Sequence, residues 1–118
     1  MRFIPVGVHA VLDYLSGLFV IASPWLLGFA AGGPETQIPV VVGSATIIYS
    51  LFTDYRLGVL KTLTVPFHLI LDAVSGTFLA VSPWLLGFAE EIWWPHLLLG
   101  LIYVIVAGST EPYPRRRS

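Results

Sequence analysis

The chain has 118 residues, of which 56% are hydrophobic and only 11% are charged, and its formal net charge is −1. A soluble globular domain is about 25% charged, so this composition excludes an ordinary water-soluble fold and favours a membrane protein. Because there is no cysteine, disulfides, thiolate metal sites and thiol nucleophiles are excluded as well. The length suits one domain, which we take as residues 1–118.

The first half of the chain predicts a hairpin of two apolar helices. Pro5 suits the first turn of a helix, and the apolar run that follows predicts a helix over residues 5 to 29. This run is too long for the core of a signal peptide, so we expect it to be a retained membrane span. A Gly-Gly-Pro-Glu turn precedes a shorter apolar run, which predicts a second helix over residues 38 to 52. The first repeat unit is therefore residues 5–55.

The second half predicts the same arrangement in residues 64–111, the second repeat unit. A third helix is expected over residues 65 to 88, and the acidic pair Glu90-Glu91 forms the turn that follows it. A fourth helix is expected over residues 92 to 109, with Pro95 in its first turn. Together the elements predict an all-α fold of four transmembrane helices, arranged as two helical hairpins in tandem.

A long internal repeat supports this division. The stretch Ser-Pro-Trp-Leu-Leu-Gly-Phe-Ala at residues 23–30 returns unchanged at residues 82–89, an offset of 59. From His9 to Ala30, 14 of 22 positions are identical to their partners. The second helices correspond more weakly: Gly43 matches Gly100, and Thr53 matches Thr110. The chain is thus one unit used twice.

The charges predict how the units sit in a bilayer. All six Lys and Arg residues lie before the first helix, between the second and third helices, or after the fourth. The other two turns carry Glu35, Glu90 and Glu91. The positive-inside rule then predicts that both termini are cytoplasmic. Since each unit crosses the membrane an even number of times, the repeats should be parallel, with the same topology.

The repeated Ser-Pro-Trp tripeptide predicts a bend. Pro24 cannot donate to the carbonyl of Val20, so a kink is expected, and the hydroxyl of Ser23 is a candidate partner for the freed backbone. Alternatively, Ser23 is the N-cap of a short second helix that Gly28 ends. In both cases the tryptophan anchors the bend at the outer interface. The predicted kink and anchor residues are Ser23, Pro24, Trp25, Ser82, Pro83 and Trp84.

A second repeated pattern places ionisable groups inside the membrane. His9 and Asp13 lie four residues apart, on one helix face, and so do His68 and Asp72. An Asp in a span costs about 2.5–3.5 kcal/mol on insertion scales, so such groups face the bundle interior. The first and third helices should therefore meet through these faces. The predicted intramembrane polar network comprises His9, Asp13, Ser16, His68, Asp72 and Ser75.

Three interpretations of this network stay open. It is a set of structural hydrogen bonds that hold the helices in register (a polar lock), a proton or ion path, or a haem or metal site held by His9 and His68. The spacing contains no zinc signature, and the histidines are the only cofactor-binding candidates. His96, which has no counterpart in the first unit, is expected at the interface.

At these residues the chain resembles the SPW-repeat family of small bacterial integral membrane proteins, which is named for the tripeptide. Both copies are present, each in the first helix of a two-helix unit, and the resemblance covers nearly the whole chain. It implies a multi-pass protein of the bacterial inner membrane. It implies no activity and supplies no catalytic residues.

The predicted function follows from what the chain lacks. There is no phosphate-binding loop or catalytic triad, and the short loops leave no domain for a soluble substrate. We therefore expect no enzyme but a structural or accessory subunit of a bacterial inner-membrane complex. The alternatives are a small oligomeric transporter or proton/ion-conducting protein, and a protein that binds haem b or a metal through His9 and His68. Expected partners are membrane lipid, other membrane subunits or further copies of the chain; Arg115–Arg117 suits anionic lipid better than nucleic acid.

Overall fold

The computed structural model of the protein describes residues 2–53 and 58–112. Within these residues the chain forms helices and no strand, which confirms the all-α prediction. The helices are α1 (Val6–Leu26), α2 (Pro34–Leu51), α3 (Val65–Leu85) and α4 (Trp94–Ser109). Two predicted basic sites, Arg56 and the Arg115–Arg117 tail, lie outside the described residues.

The second helix begins a turn earlier than predicted. α2 starts at Pro34 rather than near residue 38, with Gly33 as its N-cap. The carboxylate of Glu35 accepts hydrogen bonds from the backbone N–H of Gly33 at 2.8 Å and of Thr36 at 2.7 Å. An acidic side chain that binds the free N–H groups stabilises a helix start. The Gly-Gly-Pro-Glu sequence is therefore the beginning of the helix and not only a turn.

The first and third helices run through their prolines without interruption. The hydroxyl of Ser23 donates to the carbonyl oxygen of Val20 at 2.7 Å, and Ser82 makes the same bond to Leu79. These are the carbonyls that Pro24 and Pro83 cannot bond, so each serine replaces the bond that its proline removes. The alternative in which Ser23 caps a new helix is wrong, because α1 is continuous across it.

Both helices end shortly after their prolines, three residues before the predicted ends. Gly28 has φ of +77° and Gly87 has φ of +79°, the left-handed conformation that closes a helix C-terminus. The N–H groups of Phe29 and Ala30 then both donate to the carbonyl of Pro24, at 2.8 and 2.9 Å. The second copy makes the same bonds to the carbonyl of Pro83. The repeated octapeptide is thus a helix-termination motif.

The helices pair in chain order, α1 mainly with α2 and α3 mainly with α4, while α2 also contacts α3. Glycines bring the paired backbones together. A Cβ atom on Gly43 would lie 2.6 Å from the carbonyl oxygen of Gly17, and one on Gly76 would lie 2.7 Å from that of Gly100. Small residues at such crossings are typical of helix packing in membranes.

The distribution of polarity is the reverse of that in a soluble bundle. Long apolar side chains such as Leu15, Leu18 and Ile105 point outward, whereas the histidines, Asp13, Asp72 and several serines and threonines are buried. Such an apolar exterior fits lipid. α1 and α3 are long and apolar enough to span a membrane, whereas α4 is apolar but has only 16 residues. Helix length and composition thus support two of the four predicted spans.

The stretches that precede α1 and α3 make matching contacts. The N–H groups of Phe3 and Ile4 donate to the carbonyl of Ser109, at the end of α4, at 2.7 and 2.9 Å. The N–H groups of Thr62 and Leu63 donate to the carbonyl of Phe52, just past the end of α2, both at 2.7 Å. Each first helix is therefore tied at its start to the end of the other hairpin.

Candidate functional site

The polar side chains of α1 and α3 meet in one buried group. We call His9, Asp13, His68 and Asp72 the His–Asp cluster. Each of the four side chains belongs to a residue that is at most 4% exposed. One ligand-type atom from each lies within 4.8 Å of those of the other three. The sequence placed all four residues in one network, and the structure brings them together.

Each histidine of the cluster lies between two carboxylates. Nε2 of His9 is 2.8 Å from Oδ2 of Asp72, on the other helix, and 2.9 Å from Oδ1 of Asp13. Nε2 of His68 is 2.8 Å from Oδ2 of Asp13 and 3.3 Å from Oδ2 of Asp72. The shorter carboxylate contact of each histidine is thus the one that crosses between α1 and α3.

Two threonines hold the far side of the imidazole rings. Nδ1 of His9 is 2.7 Å from Oγ1 of Thr110, and Nδ1 of His68 is 2.6 Å from Oγ1 of Thr53. Both threonines are fully buried. Sequence reasoning did not include them in the network, although Thr53 and Thr110 are matching positions of the repeat. Their match between the two repeat units was the feature of the sequence that could have pointed to them.

The threonines determine which ring nitrogen carries a proton. The hydroxyl of Thr110 donates to the carbonyl of Val106 at 2.6 Å, and that of Thr53 donates to the carbonyl of Tyr49 at 2.7 Å. A hydroxyl has one hydrogen, so each oxygen must accept from the imidazole. Nδ1 is therefore an N–H donor in both histidines, and both Nε2 atoms face the carboxylates.

The surroundings of the two aspartates differ. The phenol of Tyr49, on α2, donates to Oδ1 of Asp72. At the corresponding place on α4 stands Val106, which has no polar group. A cavity of about 70 Å³ lies there, beside Asp13. It is lined by Leu12, Asp13, Ser16, Asp72, Ile102, Tyr103 and Val106.

The remaining predicted network residues have lesser roles. Ser16 lines the cavity and donates from its hydroxyl to the backbone carbonyl of Asp13 at 3.3 Å. Ser75 is half-buried, just beyond Asp72 on α3. A polar contact that the sequence did not predict joins α2 to α4, where the hydroxyls of Thr46 and Tyr103 are 2.7 Å apart. It extends the polar interior past the His–Asp cluster.

His96 is fully buried within the protein. Its Nε2 donates to the backbone carbonyl of Glu35 at 2.9 Å, across the two hairpins. The ring packs between Phe29 and Phe88, with centroid distances of 5.1 and 4.8 Å. Because the termination motifs carry both phenylalanines into this site, the contact depends on the fold of both repeats. No local pattern around His96 indicates it.

The tryptophans of the motifs are exposed, as an interface anchor would be. Trp25 is 62% exposed and Trp84 is 54% exposed. The indole of Trp84 lies 6.1 Å from that of Trp93, measured between ring centroids. These rings lie at the end of the bundle where α1 and α3 finish.

The cluster geometry does not suit a haem held by His9 and His68. The two rings are edge to face, with centroids 5.5 Å apart and an interplanar angle of 82°. Both Nε2 atoms are occupied by carboxylate contacts, so there is no gap for a porphyrin between them. The donor set itself, two imidazole nitrogens and two carboxylates, is compatible with a single metal ion.

The helical fold, the apolar exterior and the buried polar interior are those of a small membrane protein. The sequence model of the SPW repeat domain matches residues 7–110, which is most of the chain. The protein belongs to the SPW repeat family, as its tripeptides indicated. No curated protein and no solved structure matches it.

Proposed function

We propose that this protein is a four-span integral membrane protein of the bacterial inner membrane, and that it serves as a non-enzymatic structural or accessory subunit of a larger complex. One observation carries the proposal: the His–Asp cluster joins the first helices of the two hairpins in the middle of an apolar bundle. The histidine and aspartate side chains, which are costly to expose to lipid, contact one another instead. What remains on the outside is an apolar surface for lipid or for other membrane helices.

The burial of the cluster favours a structural role over catalysis. All four side chains are almost fully enclosed, so a soluble substrate does not reach them. Interhelical hydrogen bonds in membrane proteins contribute about 0.6 kcal/mol each on average. Several such bonds, acting together with the glycine contacts, hold the hairpins in one register. This is the polar lock.

Four spans in the proposed orientation also fit the two ends of the bundle. Arg2 and Lys61 lie at the end where α1 and α3 begin, and Glu35, Glu90 and Glu91 lie at the other. With the positive-inside rule, this supports cytoplasmic termini. α4 measures about 24 Å at 1.5 Å per residue, shorter than a hydrocarbon core of about 30 Å. We propose that the apolar loop residues Phe29, Ile92 and Trp93 complete the shorter crossings.

Reporter fusions test this orientation. Reporters placed at Gly33 and at Ser118 should report opposite compartments, with Ser118 in the cytoplasm. If both report the same compartment, the four-span arrangement is wrong.

The second candidate function is proton or ion conduction. The observation that favours it is the cavity of about 70 Å³ that reaches both carboxylates of the cluster. In this case Asp13 is the group that takes up and releases a proton. Tyr49, which donates a hydrogen bond to Asp72, then holds this second carboxylate in place.

Two substitutions at Asp13 separate the candidates. For a polar lock, Asp13→Asn keeps much of the stability because the amide still forms hydrogen bonds, whereas Asp13→Leu loses it. For a proton carrier, both variants abolish the dissipation of a pH gradient in proteoliposomes while the protein stays assembled. Thermal unfolding and gradient dissipation are measured on both. If neither substitution changes stability or conduction, both functions are wrong.

The accessory role needs a partner, and the apolar exterior is where one would bind. Purification from native membranes at native expression should recover the protein with a reproducible set of membrane subunits, or as an oligomer of itself. Recovery as an isolated monomer in mild detergent would contradict the accessory role. That result would leave the polar lock untouched.

A further inference from the structure

We propose that the His–Asp cluster is a site for one divalent transition-metal ion of the zinc class, which enters in exchange for two protons. This goes beyond the structural role proposed above, because it gives the same cluster a second, ligand-dependent state. The proposal rests on the positions of four donor atoms, on a count of protons and on the groups that orient the histidines.

The nitrogen and oxygen donors of the cluster lie in contact with one another, and one donor from each residue lies within 4.8 Å of the other three. In a four-coordinate zinc site with bonds of about 2.0–2.1 Å, neighbouring donors are separated by about 3.3 Å. The four nitrogen–oxygen contacts of the cluster measure 2.8, 2.9, 2.8 and 3.3 Å. Side-chain movements that bring every pair of donors from within 4.8 Å to about 3.3 Å turn the hydrogen-bonded cluster into a coordination shell. Two imidazoles and two carboxylates suit zinc better than magnesium or calcium, which prefer oxygen ligands alone.

The proton count identifies what a metal would replace. Because Nδ1 of each histidine donates to a threonine, the neutral form of each ring has a bare Nε2. Two bare nitrogens facing two ionised carboxylates would repel one another and leave a charge of −2 in the bundle interior. Two further protons, shared along the nitrogen–oxygen contacts, make the cluster neutral. One divalent ion in their place also makes it neutral, so the exchange adds no charge to a medium of low dielectric constant.

The residues around the cluster form the kind of hydrogen bonds that usually orient metal ligands. A histidine that binds a metal through one nitrogen usually donates its other N–H to an oxygen, which fixes the ring. Here Thr110 and Thr53 accept those bonds from His9 and His68. A ligating carboxylate is likewise held by a hydrogen bond, as Tyr49 holds Asp72. Each Nε2 is thereby aimed at the centre of the cluster.

The cavity gives the exchange a place to occur. It touches both aspartates, and its volume is about 70 Å³. On the opposite side of the cluster, the phenol of Tyr49 donates to Asp72.

The experiment uses the full chain in detergent or nanodiscs, first freed of metal with a chelator. Zn²⁺ or Co²⁺ is added in a weakly buffered solution, and bound metal and released protons are counted. We expect one metal and two protons per chain, the visible absorption bands of four-coordinate Co²⁺, and a higher unfolding temperature.

Four variants localise the binding. His9→Gln with His68→Gln removes both nitrogen ligands and should abolish it. Thr53→Val and Thr110→Val keep all four ligands but remove the acceptors of the Nδ1–H groups, and each should weaken metal binding by about 10–100-fold. The control is His96→Gln, a buried histidine outside the cluster, which should bind metal like the parent protein.

Several results would overturn the metal site: no stoichiometric binding, binding without proton release, or binding that survives loss of both cluster histidines. Assembly in the presence of chelator is measured separately. If the metal-free protein is stable but binds no metal, only the metal site is wrong. If it binds metal but Asp13→Leu without metal is as stable as the parent, only the polar lock is wrong.

Discussion

The two hairpins of this protein are alike in their backbone devices and differ in how they surround the buried charges. In both, a serine compensates its proline, a left-handed glycine ends the first helix, and a threonine holds a histidine of the other hairpin. Yet Tyr49 binds Asp72, while Val106 leaves a cavity beside Asp13. The shared contacts determine the helix ends and the orientation of the histidines. The difference between Tyr49 and Val106 gives the two carboxylates different surroundings.

The largest expected effect comes from removing one carboxylate. Breaking a buried charged pair by deleting one partner costs about 3–5 kcal/mol. Asp72→Leu should destabilise more than Asp13→Leu, because it also removes the shorter hydrogen bond of the Tyr49 hydroxyl. The free energy of unfolding of both variants in a bilayer or detergent measures this difference. A greater loss for Asp13→Leu would mean that the tyrosine does not distinguish the halves.

The next largest loss of stability is expected from Gly→Ala substitutions where the helices cross. Gly43→Ala places a Cβ 2.6 Å from the carbonyl oxygen of Gly17, and Gly100→Ala places one 2.5 Å from the backbone nitrogen of Ala80. Such overpacking costs about 1–3 kcal/mol. The matched control is Gly7→Ala, which meets nothing within 4 Å. Unfolding free energies equal to that control at both crossings would contradict the packing.

Tyr49→Phe tests the difference between the halves most directly. It leaves the ring in place and removes one donor from a buried carboxylate, which costs about 1–3 kcal/mol. Its counterpart, Val106→Phe, fills the cavity without supplying a donor and should change stability by less. Both are read from thermal unfolding. An equal loss in the two variants would show that shape, not hydrogen bonding, sets the asymmetry.

The smallest effect is expected at the helix ends, where the halves are alike. Gly28→Ala and Gly87→Ala each force a side chain into the left-handed region, at a cost of about 1 kcal/mol. Neither new Cβ would meet any atom within 4 Å. The two losses in unfolding free energy should therefore be equal. Clearly different losses in unfolding free energy would show that the surroundings of the two identical octapeptides affect the stability of the helix ends differently.

Much of the architecture was predictable because it is local or repeated. The spacing of His9 and Asp13 placed them on one face, and the cost of charge in lipid turned that face inward. Glu35 was assigned to a turn, since its role as an acceptor for the N–H groups of α2 depends on loop geometry. Gly28 was predicted to end a helix only in the alternative with a short second helix, and its positive φ shows that it ends α1 itself.

The rest of the site depended on contacts between distant positions. Tyr49 lies on α2 with no polar pattern around it, so only the packing of α2 against α3 reveals that it binds Asp72. The contacts of His96 were not predicted, because its partners come from both termination motifs and from the start of α2. Thr53 and Thr110 matched in the alignment, but the match alone did not say which histidine each would hold.

The way each first helix is tied to the end of the other hairpin has a consequence for connectivity. Residues 3 and 109 are joined by a backbone hydrogen bond, as residues 62 and 52 are at the join between hairpins. A circularly permuted chain that begins before α3 and ends after α2 would therefore meet every contact of the parent. Separate fragments carrying one hairpin each should reassociate when they are made in the same cell. The same packing of the four helices is therefore compatible with a chain that begins before α1, as here, or before α3.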